Sequence, residues 1–330
     1  MRPSPISPTI DLDAQGAQHG FLKLPYSRDD AAWGAVMTPI TVIRNGQGPT
    51  ALLTGANHGD EYEGAIALTK LASTLRPEDV RGCVIIVPFL NYPAFRAGTR
   101  TSPIDRGNLN RSFPGKPDGT VTEKIADYVQ RHLLPRADFV LDIHSGGKTL
   151  DFVPFAAIHV LEDKAQQERC RKAMEAFNAP YSMTLLELDA VGMLDTAAES
   201  AGKVFVSTEL GGGGSATARS VAIADRGVRQ FLAHCGICEG RPEARPTIVL
   251  DMPDSDCYIT SLHDGLLEMC RDLGDDVRKG ELVARVHDTR RTGTEPVEYH
   301  ARRDGVVAGR HFPGLIGCGD TLAVIAEVLN

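Results

Sequence analysis

The chain has 330 residues, enough for two domains or for one large domain with an appendage. Apolar residues make up 42% and charged residues 24%, the balance of a globular protein rather than of a disordered one. The 35 Lys and Arg against 43 Asp and Glu leave a net charge of −8, so no general field draws in a phosphate backbone. No apolar run approaches the roughly 18 residues of a membrane helix. Neither a nucleic-acid nor a membrane partner is therefore expected. The opening MRPSPISPTIDLDAQG lacks the basic region and apolar stretch of a secretory signal, and a cytoplasmic location is expected. Of the scattered cysteines only Cys235 and Cys238 form a C-x-x-C, and no second pair completes a zinc site; reduced thiols are expected.

In chain order, TPITVIR (38–44) is β-branched and ends at the turn Asn45-Gly46. TALLT (50–54) is a short buried run, followed by the loop GANHGDEYEG. AIALTKLASTL (65–75) has apolar residues at helical spacing and stops before Pro77. CVIIVPFL (83–90) has the length and continuity of a buried strand. Residues 91–115 show no period and are rich in Gly, Pro and Asn, a long irregular segment of the kind that carries function. Residues 120–134 read as a helix, with Thr120 or Thr122 as N-cap and Glu123 in its first turn. DFVLDIH (138–144) and KVFVSTEL (203–210) read as strands, and 163–177 and 217–234 as helices. Uniformly apolar strands alternating with helices indicate an α/β domain with a parallel or mixed central sheet.

The texture changes at GRPEARP (240–246), a plausible linker. TIVLDM, GLLEM, LVARVHD, VEYHARRDGVV and DTLAVIAEVL, punctuated by glycines, then predict a small all-β barrel or sandwich. DLGDDVRKGELVARV and ARRDGVVAG resemble the two halves of a biotinyl/lipoyl-like domain. The stretch between them, HDTRRTGTEPVEYH, has no lysine to carry a cofactor, so a lid or assembly element fits better than a swinging arm.

Four motifs could carry chemistry. His58 and Glu61 stand three apart where a strand runs into a helix, a spacing that suits either a shared cation or merely a capped helix with an exposed histidine. His144 ends an apolar strand, where open α/β sheets place ligands, with Asp142 on the same side as a potential partner; it could also be a satisfied edge histidine. Glu209 closes a strand ahead of four glycines, and a carboxylate there could take a proton from water. Arg96, Arg100, Arg106 and Arg111 crowd the irregular segment, either to grip carboxylates or as a solvated basic loop.

Taken in order, NHGDEYEG, RAGTR with NLNRSFPG, DIHSGG and TELGGGG resemble the signatures of the succinylglutamate desuccinylase/aspartoacylase family of the zinc carboxypeptidase clan. The flanks are most similar to the branch that deacetylates N-α-acetyl-L-2,4-diaminobutyrate in ectoine breakdown. The resemblance implies an α/β fold with a zinc-carboxypeptidase-like mixed central sheet flanked by helices. Residues 1–245 would form the catalytic domain and 246–330 the β-rich domain. It implies Zn2+ held by His58, Glu61 and His144, Glu209 as general base and then acid, and Arg100 as the group that polarises the scissile carbonyl. Asn110 and Arg111 would hold the substrate carboxylate, and the stretched spacing leaves Arg106 as a competitor for the oxyanion role.

Asn108 stands where the family often has an aspartate that orients a zinc-binding histidine. It could still accept a hydrogen bond from His58, or Asp105 or Asp142 could take over. The implied reaction is hydrolysis of a small N-acyl amino acid by a homo-oligomer. For a diaminobutyrate, Asp60, Glu63, Glu187 and Asp189 are candidates to meet the side-chain ammonium. The alternatives are a zinc carboxypeptidase acting on short peptides, a deacylase of aspartoacylase or succinylglutamate desuccinylase type, and a binding module that has lost its chemistry.

Overall fold

The structure is a computed structural model that describes residues 2–240, 242–243 and 245–329; Arg241 and Ala244 of the expected linker lie outside them. Up to the linker the chain forms β1 (Ser7–Pro8), β2 (Gly16–Pro25), β3 (Ala35–Asn45), β4 (Thr50–Gly55), α1 (Glu63–Thr74), β5 (Gly82–Val87), α2 (Tyr92–Ala97) and α3 (Val121–Tyr128). It continues through β6 (Phe139–His144), β7 (Leu150–Phe152), β8 (Phe155–Ile158), α4 (Lys164–Phe177), β9 (Tyr181–Thr184), α5 (Leu194–Ser200), β10 (Val204–Glu209) and α6 (Ala218–His234). Thr120, Asp163 and Thr217 cap α3, α4 and α6 through side-chain oxygens that accept backbone N–H groups. The helix expected over 120–134 is α-helical only to Tyr128, then widens into a π turn (Val129–Leu133) and tightens into a 3-10 turn (Leu134–Arg136) ahead of β6. The segment 91–115 is less irregular than expected: it contains α2, which starts with Pro93 in its first turn and stops at Gly98.

The strands form a mixed sheet in the order β1-β2-β3-β5-β4-β6-β10-β8-β9, in which β5, β4, β6 and β10 are parallel neighbours. Every residue of β4 and β5 is buried, which is why these strands read as unbroken apolar runs. Alternation sends Leu53, Val84, Leu141 and Val206 into a core with α1, α4 and α6, and Leu52, Ile85, Val140 and Phe205 into a second core with α3 and α5. The central sheet and its helices have the mixed α/β architecture expected from the sequence.

Beyond the linker lie β11 (Ile248–Asp251), β12 (Tyr258–Thr260), β13 (Gly265–Met269), β14 (Asp276–Val277), β15 (Leu282–His287), β16 (Val297–His300), β17 (Gly305–His311), β18 (Leu315–Ile316) and β19 (Thr321–Leu329). They divide between two sheets. β11 pairs with β9 and with β19, and β19, β17 and β14 extend the central sheet through it. β16, β15, β13 and β18 make a separate antiparallel sheet. A small core that includes Ile259, Val283, Tyr299, Val307 and Leu322 draws on both sheets.

Candidate active site

Strands β4, β6 and β10 run parallel and end at one edge of the sheet, with Gly55 opposite Ile143 and His144 opposite Glu209. Side chains that are opposite in register share a face, so His144 and Glu209 project together from the carboxyl edge, where open α/β sheets bind ligands. The chain leaves β4 through Ala56, with a left-handed φ of 49°, and turns through Asn57–Tyr62 into α1. Helix α1 lies tight against β6: a Cβ on Gly64 would come within 2.7 Å of the Ile143 Cβ. That close packing carries Glu61 to His144.

His58, Glu61 and His144 converge. Nδ1 of His58 is 2.7 Å from Oε1 of Glu61, Nδ1 of His144 is 2.8 Å from Oε2 of Glu61, and the two ring centroids are 5.1 Å apart. All three side chains are buried. Their donor atoms lie within 4.8 Å of one another. Burial pushes the Glu61 carboxyl up, but the His58 and His144 charges hold it below the usual carboxylate range. Burial also lowers the His58 imidazole, while Asp142 and Glu61 more than offset burial at His144 and raise it well above its ordinary value.

Two imidazoles and a carboxylate aimed at one point are the donor set of a zinc site with a position left open. Asp142 completes the support. Its Oδ2 accepts from Nε2 of His144 at 2.8 Å and from Asn57 at 2.9 Å, and its Oδ1 accepts from Thr54 at 2.6 Å. With Nε2–H held by Asp142, Nδ1 of His144 is the nitrogen free to act as ligand.

Asn108 does not meet His58. Its Oδ1 accepts from the Asn110 backbone N–H at 3.0 Å, and His58 Nε2 has no hydrogen-bond partner among the described residues. Asp105 is committed to Thr122 and Gly107. A short polar residue before the Leu109–Arg111 turn is taken up as its cap, and the carboxylate that orients a histidine is Asp142, acting on His144.

Glu209 lines the same cavity as His58 and His144, with Oε2 shielded from solvent and without a hydrogen-bond partner among the described residues. Burial foremost, and then the Glu61 charge, raises its carboxyl above the usual carboxylate range. The glycines after it allow a close crossing of chains, since a Cβ on Gly212 would lie 2.0 Å from the Leu150 carbonyl oxygen. Arg100 also lines the cavity, with Nη1 3.6 Å from Oε1 of Glu61. Arg106 is exposed, has a left-handed φ of 56°, and is not among the lining residues.

Asn110 is buried at the cavity wall. Its Oδ1 accepts from the Leu194 backbone N–H at 3.0 Å and from Asn57 at 3.1 Å, which fixes the amide orientation and leaves its NH2 for a ligand. Arg111 lines the cavity beside it and donates to the Asn110 carbonyl at 2.7 Å. Sequence reasoning missed Asn57, Asp195 and Tyr258, which hold or line this space. Met252, Tyr258, Ala308, Thr321 and Val324 close the cavity, of about 310 Å³, from beyond the linker.

Residues 47–235 match the succinylglutamate desuccinylase/aspartoacylase catalytic domain. A relative from Halomonas elongata, named N-alpha-acetyl-L-2,4-diaminobutyric acid deacetylase, is 61% identical over 100% of this chain and 97% of its own length. The product-bound structure of the ectoine utilization protein EutE from Ruegeria pomeroyi superposes with a TM-score of 0.98 at 66% identity, covering 99% of this chain and 100% of that one. A succinylglutamate desuccinylase/aspartoacylase from Rhodobacter sphaeroides superposes with a TM-score of 0.95 at 40% identity, covering 99% and 100%.

Proposed function

The chain belongs to the succinylglutamate desuccinylase/aspartoacylase family, and from that premise we propose that it hydrolyses the amide of N-α-acetyl-L-2,4-diaminobutyrate to acetate and 2,4-diaminobutyrate. One observation carries the hydrolytic chemistry. A buried His58–Glu61–His144 donor set and an unpartnered Glu209 carboxyl share one small cavity. The acyl amino acid is supported by the full-length likeness to the Halomonas enzyme.

His58, Glu61 and His144 would hold Zn2+, a fit supported by the convergence of their donor atoms and by the support of His144 from behind. When bound, the ion supplies a Lewis acid at the carbonyl and lowers the pKa of water to about 7. Glu209 accepts the proton of the water that attacks the amide carbon and returns it to the leaving nitrogen. Arg100 donates to the carbonyl oxygen as it gains negative charge. Arg111 and the Asn110 NH2 hold the α-carboxylate, which fixes the register of the amide. No covalent intermediate is required.

A cavity of about 310 Å³ favours a single acyl amino acid over a peptide. The reading takes 1–245 as the catalytic domain and 246–330 as a barrel-like, biotinyl/lipoyl-like domain without a carrier lysine. What supports it is that domain's own core and its contribution to the cavity wall. Seven unpaired cysteines support a cytoplasmic location.

The test is hydrolysis of N-α-acetyl-2,4-diaminobutyrate, N-acetylaspartate, N-succinylglutamate and a short peptide, with and without chelator. Preference for the first and its loss on chelation are expected. Preference for the peptide, or chelator-resistant turnover, would overturn the reading.

A further inference from the structure

We propose that Glu187 and Asp195 form a subsite for the ammonium group at the end of the substrate side chain. The inference rests on the diaminobutyrate reading above and names what makes the cavity selective for that side chain.

Both carboxylates line the cavity that holds His144, Glu209 and Arg111. Asp195 is 5% exposed. Its Oδ1 accepts from the hydroxyl of Thr196 at 3.0 Å and from the same residue's backbone N–H, and the carboxylate lies beside Glu187 and His159, with one donor atom from each of the three within 4.8 Å. Glu187 is 3.8 Å from Nε2 of His159, and the Arg111 charge also acts on it. That imidazole is already engaged by Glu199, whose Oε1 is 2.9 Å from its Nδ1. Three carboxylates thus surround one imidazolium, and the surplus negative charge lies at the cavity wall. Burial, and then Asp195, push the Glu187 carboxyl up to about 7, further than the His159 and Arg111 charges bring it down.

The other acids considered from the sequence are otherwise placed. Asp60 accepts from the Lys148 backbone N–H at 2.9 Å, and Glu63 from the Ser220 hydroxyl at 2.9 Å. Asp189 lines the cavity but is 3.8 Å from Nε of Arg111, so it balances the carboxylate clamp.

On 2,4-diaminobutyrate the ammonium sits two methylenes from the carbon that bears the carboxylate. In the cavity, the Leu194 N–H that fixes Asn110 belongs to the residue preceding Asp195, so clamp and acid share one anchor. Tyr258 holds the other acid in place by donating to the Leu186 carbonyl at 2.6 Å. An ammonium brings three N–H donors and can serve both carboxylates. His159, Glu187 and Asp195 also offer donor atoms within 4.8 Å of one another, so a metal ion is the competing occupant and the metal measurement decides between them.

The test compares N-α-acetyl-2,4-diaminobutyrate with N-acetylnorvaline, which carries a methyl in place of the ammonium, in the zinc-loaded protein and its Glu187→Gln and Asp195→Asn variants. Glu187 lies outside the regular elements, so Glu187→Gln keeps the test open if Asp195→Asn fails to fold. For the ammonium substrate kcat/KM should fall about tenfold to a hundredfold, mainly through KM, with N-acetylnorvaline hydrolysed at least as well as before. Inhibition by 2,4-diaminobutyrate should weaken by the same factor and inhibition by norvaline should not. Equal losses on both substrates would overturn the subsite while leaving the deacetylase standing. A parent protein that ignores both substrates and cleaves another amide would overturn the reading beneath it. Loss of a second bound metal ion in Glu187→Gln would make the cluster a metal site and overturn the proposal.

Discussion

Asp142 and His144, two residues apart on β6, face one another: Oδ2 of the carboxylate lies 2.8 Å from Nε2 of the ring. The alternation of a strand places them on one side, and the partnership fixes which nitrogen His144 presents to Glu61. Asp142→Asn keeps the size but removes the charge and turns one of the two accepting oxygens into an NH2 donor. Zinc affinity should fall about 10- to 100-fold, as read by competition with a chromophoric chelator, with activity recovered at excess zinc. Unchanged affinity would show that Asp142 does not tune the ligand.

Glu209 separates proton transfer from metal binding. It touches neither histidine by hydrogen bond, so Glu209→Gln should retain a full complement of zinc while kcat drops by about 10²–10⁴. Metal analysis alongside turnover checks this. Activity near that of the parent protein would remove Glu209 from the proton-transfer role.

The stretched spacing leaves Arg106 as a competitor to Arg100, yet of the two only Arg100 lines the cavity. Arg100→Ala should lower kcat by about 10²–10³, whereas Arg106→Ala should leave kcat and KM near their original values. The reverse pattern would exchange the two roles.

The motifs were legible because they sit where parallel strands end. Strands β6 and β10 open with apolar residues, Phe139–Leu141 and Val204–Val206, and the polar residues that close them, His144 and Glu209, announce the edge of the sheet. The ten-residue β2 escaped notice because its burial alternates and Gly16, Gln18 and Gly20 dilute the apolar signal. Asn108 was misjudged because an Asx cap and a histidine partner look alike in sequence, and only the turn that follows decides between them. The two-sheet division beyond the linker depends on β11 joining β9 and β19, contacts between segments far apart in the chain that no local pattern encodes. Asp195 was invisible for a related reason: nothing near it in sequence indicates that α5 starts at the wall of the cavity.

His159 gives a pH-dependent test that does not involve the zinc ligands. Burial pulls its pKa down, but the hydrogen bond to Glu199, and then the Glu199 charge, raise it further, to about 9 in the folded protein. In the unfolded chain it returns to about 6.5. A group whose folded value is raised stabilises the fold fully below the unfolded value and loses that contribution as pH climbs through the folded one. The contribution is on the order of 3 kcal/mol, present at pH 6, declining between about 6.5 and 9, and gone at pH 10. His159→Gln has no proton to lose and should lack that decline. Urea unfolding of both proteins at pH 6 and pH 10 checks it: the stability difference should be large at pH 6 and shrink by pH 10. A difference that stays constant or grows would mean that His159 is not held as an imidazolium against Glu199.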